Sequence, residues 1–370
     1  MQWGHVVSND LVNWEDQGVA LFPSKTEDRS GCFSGTAVEN AGKMQLYYTG
    51  VNYLVENPEN INHCVDEQFV SAQLKMTSED GIHFDNIKDK KTVIPVIHDA
   101  DMGDARHTRD PKVWKSGDTW YMVLGSTIGD SQGRLLFFTS EDGEKWNFKN
   151  SATKENLGWM WECPDYFEAD GKQIAIFSPM GFLKDGKADD AQAICMQVKF
   201  DEETCQMELP DEYQFLDYGM DLYAPQSTLD AEGRRILVAW LRMPEPVDGK
   251  WQGMMSIPRV VEVKDGNIYF RVHPNIQAAY TREISVPSEG DESGYRLRFS
   301  LEDGEKVNIG GYVVSRSGNK IYTDRSNLYK AFPDHRVKFE TPELKEGFEV
   351  EVYVNPNQIS VFVNNGEAVI

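Results

Sequence analysis

The chain has 370 residues, with 37 Lys and Arg against 60 Asp and Glu, a formal net charge of −23. That balance disfavours a nucleic-acid binder, which needs a basic stripe to displace counterions from phosphates, and docking on anionic membranes. No apolar run approaches the ~20 residues that span a bilayer, and the length suits two domains better than one.

Nine Trp, 15 Tyr, 18 Phe, 30 Gly and 16 Pro lean towards strands joined by many turns. From the N-terminus, one unit recurs: Ser-x-Asp-x-x-x-aromatic after a short apolar stretch. It appears as Ser8-Asn9-Asp10 to Trp14, Ser78-Glu79-Asp80 to Phe84, and Ser140-Glu141-Asp142 to Trp146. Each copy reads as a strand, a turn with the Asp side chain capping backbone amides, and an aromatic on the returning strand.

A second unit interleaves with the first: a polar residue, an apolar strand, a Gly turn, another apolar strand. Ser34 leads to Gly42, Asp110 to Gly117, Glu162 to Gly171 and Gln226 to Gly233, at separations of 8, 7, 9 and 7. Two hairpins per repeat make a four-stranded antiparallel sheet. Sheets recurring every 50 to 76 residues mean a β-propeller. In that reading Ser34, Asp110, Glu162 and Gln226 hold equivalent places on inner strands and converge on one funnel. The fold class is all-β.

Near Pro274 the pattern lapses into a polar stretch ending Pro287-Ser288-Glu289-Gly290-Asp291, a linker over residues 276–292. Strands follow at Tyr295 to Phe299, Val307 to Val314, Phe348 to Val354 and Gln358 to Val363, with a turn at Asn355-Pro356-Asn357. They predict a second all-β unit over 293–370, a sandwich, with Arg296, Arg298 and Glu351 on solvated faces. It offers no acid pair and no ligand cluster.

The five cysteines, Cys32, Cys64, Cys163, Cys195 and Cys205, form no paired motif, and the chain holds no N-x-[ST] sequon. Both favour a reducing, cytoplasmic setting. The seven histidines show no metal spacing, so no metal and no cofactor is expected. His5 and His107 read as hydrogen-bonding scaffold.

Chemistry concentrates in Gly31-Cys32-Phe33-Ser34-Gly35, Thr108-Arg109-Asp110-Pro111-Lys112 and Trp161-Glu162-Cys163-Pro164-Asp165. Converging carboxylates beside an Arg and aromatics suit a glycosidase, which needs acid, base and charge stabilisation together with flat faces for sugar rings. With Trp3-Gly4-His5, Ser8 to Trp14, Asp217-Tyr218-Gly219 and Tyr223-Ala224-Pro225-Gln226 in order, the chain resembles glycoside hydrolase family 32. That family comprises the invertases, sucrose-6-phosphate hydrolases and fructanases.

The resemblance implies a five-bladed propeller over residues 1–275 followed by a C-terminal sandwich. It implies Glu162 as general acid/base and Asp110 as the acid that grips fructosyl hydroxyls, with Arg109 beside it. Phe33, Ser34 and Tyr223 match substrate-contacting positions. Gln226 and Trp240 are weaker matches, and Trp240 reads equally well as core. Cys163 reads as packing beside the acid. The partner is a small fructoside: sucrose, its 6-phosphate or a short fructan.

The family's Trp-Met-Asn-Asp-Pro-Asn-Gly stretch, which carries the nucleophilic Asp, has no counterpart here. Asp10 belongs to the turn repeat and does not replace it. The expectation is a fragment with its first blade and its sandwich incomplete, inactive as it stands. Rival readings are a non-catalytic sugar-binding paralogue and a five-bladed glycosidase of the arabinanase or xylosidase type.

Overall fold

The computed structural model describes residues 1–184, 187–188, 192–247, 249–285, 294–345 and 347–370. Among them, regular structure is strand throughout except for a 3-10 turn at Val65–Glu67 and one helix, α1 (Pro274–Ala279). The fold is all-β. The chain divides into two compact units, one of residues 1–9, 13–168 and 173–213, the other of residues 10–12, 169–172 and 214–370.

The first unit opens on a two-stranded pair, β1 (Trp3–Val7) and β2 (Glu15–Leu21). A four-stranded sheet follows, β3 (Gly31–Asn40), β4 (Lys43–Tyr53), β5 (Phe69–Ser78) and β6 (Lys91–Ile94). The next is β7 (Arg109–Ser116), β8 (Thr119–Ile128), β9 (Gln132–Ser140) and β10 (Asn147–Thr153). Then come β11 (Met160–Ala169) and β12 (Lys172–Met180), a short pair β13 (Leu183–Lys184) and β14 (Lys187–Ala188), and β15 (Ile194–Asp201) with β16 (Gln206–Glu208). Each four-stranded sheet is a meander of neighbours, as the hairpin repeat predicts.

The hairpin turns follow from their residues. At Ala41-Gly42 and Asp170-Gly171 both central residues have positive φ, the two-residue turn whose twist matches antiparallel strands. The Asp repeat is also as read from the sequence. Asp80 Oδ1 accepts the amides of Ile82 and His83, Asp142 Oδ1 those of Glu144 and Lys145, and Asp10 Oδ1 that of Val12. Trp14 and Trp146 directly precede their returning strands, but Phe84 does not. A further Asp turn at Asp85 intervenes, its Oδ1 accepting the amides of Ile87 and Lys88, before β6 begins at Lys91.

Adjacent sheets meet over glycines. A Cβ on Gly125 would lie 1.9 Å from the Trp161 carbonyl oxygen, and one on Gly133 would lie 2.3 Å from the Trp161 ring. Trp161 is fully buried, stacks on Phe177 with centroids 4.4 Å apart, and donates its indole N–H to the Leu157 carbonyl. Nothing larger than hydrogen fits at either place.

In the second unit, β17 (Gln214–Phe215) precedes β18 (Leu222–Leu229), β19 (Arg235–Leu241), β20 (Met254–Met255), β21 (Arg259–Lys264) and β22 (Asn267–Val272). Helix α1 starts with Pro and is capped by His273, whose ring accepts the Asn275 amide. It covers the start of the expected linker. Pro287 to Asp291, the rest of that expectation, lies outside the described residues.

Two four-stranded sheets complete the unit. One contains β23 (Tyr295–Ser300), β28 (Glu349–Asn355), β29 (Gln358–Val363) and β30 (Ala368–Val369). The other contains β24 (Lys306–Ile309), β25 (Tyr312–Ser317), β26 (Lys320–Asp324) and β27 (Lys338–Glu340). Val314, Ile321, Val352, Val361 and Val363, drawn from both sheets, form one shared dry core.

Two expectations need correcting here. Val307 to Val314 is two strands, because Gly310-Gly311, both at positive φ, turn the chain between them. Glu351 is turned away from solvent, and Arg296 is half-buried. They pair with each other, Glu351 accepts the Tyr353 hydroxyl, and it is 9% exposed. Their strand alternation read as a polar outer face; packing beside the Tyr353 ring makes them a partly buried ion pair. Arg298 is exposed as expected.

Gly125→Ala is expected to destabilise the chain by roughly 1–3 kcal/mol, since the added methyl must displace the Trp161 backbone. Chemical denaturation would show it as a lower midpoint at unchanged slope. An unaltered midpoint would contradict the close contact.

Candidate active site

The inner strands share one local device. Ladder pairing skips between Cys32 and Gly35 in β3, between Arg109 and Lys112 in β7, and between Tyr223 and Gln226 in β18. Pro111, Pro164 and Pro225 cannot donate to a ladder, so a bulge is where such a strand tolerates them. The residue before each Pro is left-handed: Asp110 at φ 62°, Cys163 at 48° and Ala224 at 50°. Non-glycine residues in that region cost roughly 1–3 kcal/mol each and persist only where the surroundings enforce them.

This corrects the register read from the sequence. The equivalent positions are Asp110, Cys163 and Ala224, each before its Pro, with Arg109, Glu162 and Tyr223 one residue earlier. Asp110 and Glu162 are therefore offset by one place. Spacing to the Gly turn hid this because the hairpins differ in length.

The offset brings both acids to one guanidinium. Arg109 donates from Nε and Nη2 to Glu162 Oε1, at 3.1 and 2.8 Å, and its Nε lies 4.0 Å from Asp110 Oδ2. Asp110 Oδ2 accepts the Cys163 backbone amide at 2.9 Å, and the Asp110 amide donates to Thr49 Oγ1 at 2.8 Å. Asp110 and Cys163 thus each hand the freed N–H to a side chain of the preceding sheet. The remaining Arg109 nitrogen, Nη1, donates to His107 Nδ1 at 2.9 Å.

Behind these groups lies a buried polar lattice. Thr49 Oγ1 donates to Gln73 Oε1, Gln73 Nε2 and Ser71 Oγ donate to the Thr108 carbonyl, and the Thr108 hydroxyl meets Ser126 Oγ at 3.0 Å. All are nearly free of solvent. Satisfied in this way, such a network fixes geometry.

Burial separates the two carboxylates. Asp110 is 4% exposed, whereas the Glu162 side chain keeps 21%. Burial pushes the Asp110 carboxyl up to about 6; Glu162 adds to the rise, while Arg109 and the Cys163 N–H oppose it. Burial lowers the basicity of His107, and the Arg109 and Arg106 charges lower it further. Burial, with Asp110 and Glu162 nearby, raises the Cys163 thiol well above its ordinary range, so it stays protonated and inert.

Of the other expected residues, Ser34 is exposed at the β3 bulge, and its hydroxyl bonds to the Cys163 sulfur. Phe33 occupies the same bulge, half-buried, its carbonyl accepting the Trp3 indole N–H. Tyr223, Gln226 and Trp240 belong to the second unit. Tyr223 is buried and pairs with Trp240 across the ladder, while Trp240 is 42% exposed and so is not core.

Thr49 and Gln73 were not singled out from sequence, whereas His107 was read as hydrogen-bonding scaffold and Thr108 lay in one of the segments picked out for chemistry. The available signal was a polar residue inside an otherwise apolar strand, as in Tyr47-Tyr48-Thr49-Gly50. Among the described residues, no group of three His, Cys, Asp or Glu could hold a metal ion, and no helix is long and apolar enough to cross a membrane.

Comparison with known proteins gives the same direction. The sequence model for the "Glycosyl hydrolases family 32 N-terminal domain" matches residues 1–274. A probable sucrose-6-phosphate hydrolase of Psychromonas ingrahamii is 31% identical over 388 residues, which cover 99% of this chain and 68% of that protein. Among solved structures, a Bombyx mori GH32 beta-fructofuranosidase mutant in complex with sucrose is similar at TM-score 0.76 and 26% identity, over 100% of this chain and 79% of that one. The sucrose-6-phosphate hydrolase from Lactobacillus gasseri shares the fold at TM-score 0.82 and 22% identity, over 100% and 78%.

A carboxyl raised from 3.8 to about 6 binds its proton more tightly folded than unfolded. Folding stability from this group is therefore full below pH 4 and is lost as pH rises towards 6, by roughly 2–3 kcal/mol. Asp110→Asn keeps an acceptor for the Cys163 amide and removes the charge. It is expected to melt several degrees above the parent at pH 7.5 and close to it at pH 4. A variant less stable than the parent at pH 7.5 would contradict a costly Asp110 charge.

Proposed function

This chain belongs to glycosyl hydrolases family 32 and is a glycoside hydrolase, and we propose that its site cleaves β-fructofuranosides by the retaining route with Glu162 as acid/base. The observation that carries the reading is the sharing of Arg109 by two carboxylates in different surroundings. Glu162 is the more open of the two and can reach a leaving group. Asp110, locked on the Cys163 amide, can accept hydrogen bonds from sugar hydroxyls.

Arg109 gives the acid a direction. Both of its donors fall on Glu162 Oε1, whose two lone pairs are thereby engaged. The proton passed to the glycosidic oxygen then resides on Oε2. After the fructosyl group is transferred to a nucleophile, the same oxygen takes a proton from the attacking water. Nearby Phe33 and Ser34 would line the approach to Asp110. Tyr223, Gln226 and Trp240 are proposed as further substrate contacts.

Sucrose, sucrose 6-phosphate and short fructans are the proposed substrates, following the printed names of the relatives. Residues 1–275 are proposed as the catalytic propeller and 293–370 as the sandwich. A cytoplasmic setting suits five cysteines that are all free thiols, four of them buried.

No Asn-Asp-Pro-Asn-Gly segment occurs in the sequence, and the retaining route needs a carboxylate on the face opposite the acid. A polypeptide of residues 1–370 alone is expected to release no measurable fructose from sucrose or inulin. The same polypeptide extended at its N-terminus by a strand carrying that segment is expected to do so. Equal turnover would show that the nucleophile lies within these residues. In the active form, Glu162→Gln is expected to slow sucrose cleavage by about 10²–10⁴-fold, and an aryl fructoside with a good leaving group far less. Equal losses on both substrates would remove Glu162 from the acid role.

A further inference from the structure

We propose that His107 is a positioning residue: its neutral ring, in the Nε2–H tautomer, holds Arg109 so that the guanidinium presents Nε and Nη2 to Glu162 Oε1. The inference rests on the acid/base reading of Glu162 and assigns the group that orients its partner.

Arg109 carries N–H donors and no acceptor, so the 2.9 Å contact from Nη1 to His107 Nδ1 requires a lone pair on Nδ1. A protonated ring has none. The ring is therefore neutral with its hydrogen on Nε2. Its setting enforces that state. His107 is 5% exposed and lies edge-on between Phe69 and Trp159, with centroids 5.3 and 5.1 Å away. These two rings fix its plane.

The charges facing it come from four segments. Arg109 and Arg106 disfavour a cationic ring, while Asp104, ahead of β7, and Asp130, between β8 and β9, favour one. Glu67, in the loop between β4 and β5, places Oε2 3.9 Å from Nε2. Burial and the two arginines prevail, and Arg106 is itself bonded to Glu67 and Asp130. Nε2 is buried with no hydrogen-bond partner, so nothing competes for the other tautomer.

Without the Nδ1 acceptor, a nine-tenths-buried guanidinium would keep one unsatisfied donor and be free to pivot off Oε1. The Oε1/Oε2 distinction on which directed proton delivery depends would be lost. A hydrogen bond to a charged group of this kind is worth about a tenfold change in an equilibrium or more.

The test uses the chain of residues 1–370 labelled with nitrogen-15 at His and Arg. Between about pH 8 and pH 5, His107 is expected to show an unprotonated Nδ1 and a protonated Nε2. His107→Phe keeps the ring shape and is expected to speed solvent exchange of the Arg109 Nη1 hydrogens about tenfold. His107→Gln, which can accept at the same place, is expected to restore slow exchange. A protonated Nδ1, or unchanged exchange in His107→Phe, would overturn the proposal; if His107→Phe fails to fold, the tautomer and the Gln variant decide it. In the N-terminally extended, active polypeptide, kcat is expected to fall about tenfold in His107→Phe with KM within about twofold, and to recover in His107→Gln. Unchanged kcat would overturn the link to Glu162. Failure of the acid role itself would appear separately, in Glu162→Gln.

Discussion

The site depends on what a proline does inside a strand. Neither Pro111 nor Pro164 can donate to a ladder, pairing skips around Pro111, and the residue before each proline adopts a left-handed backbone. That geometry frees an N–H in the interior, where an unpaired donor is expensive. The neighbouring sheet supplies the acceptor: Thr49 for Asp110, and Asp110 itself for Cys163. Asp110 is thus both a site carboxylate and the structural partner that closes the next sheet's bulge. Its position is set by the joint between two sheets, and neither strand could shift without moving it.

Buried Asp28, in the same unit, shows what a purely structural acid looks like. Burial would raise it, but Lys90, the amides of Lys25 and Ser24, and the Tyr48 hydroxyl together hold it below its usual range. Both of its oxygens accept hydrogen bonds, and Lys90 pairs with no second carboxylate among the described residues. Asp110 receives the Cys163 amide and thiol on Oδ2 alone, beside a guanidinium whose hydrogen bonds go to Glu162, His107 and the Met180 sulfur. Two buried aspartates a few strands apart therefore end on opposite sides of the ordinary value. The difference lies in how completely the protein solvates each charge.

Much of this was legible in the sequence because it is local. The Asp turns and the glycine-tipped hairpins depend on residues within a few positions, and Asp80, Asp142 and the Asp170-Gly171 turn behave accordingly. Arg109, Asp110 and Glu162 were identifiable as a group from their order along the chain. What was not legible depends on offsets between strands. The one-residue slip that sets Glu162 beside Arg109 in role follows from where the bulge falls, and hairpin length masked it. Thr49 and Gln73 matter only through partners 24 to 61 residues away. Arg296 and Glu351 were misread for the same reason: alternation gives the face of a strand, but not the aromatic side chain that covers it.

An acid left incompletely solvated is the mark of a group whose partner arrives from outside. The N–H and S–H of Cys163 and part of Arg109 do not fully offset the burial of the Asp110 charge, so its carboxyl sits above the ordinary carboxylate range. A sugar offering two hydroxyls would supply the missing donors and favour the charged form. The same contacts that fix the ring would then strengthen the negative field felt by positive charge growing at the anomeric carbon. Glu162 needs the reverse. In the acid/base role proposed for it, Glu162 would carry a proton at the start and lose it during the first step, and a guanidinium bonded to Oε1 would let it do so without leaving its place. One arginine can serve both acids because it solvates neither of them completely.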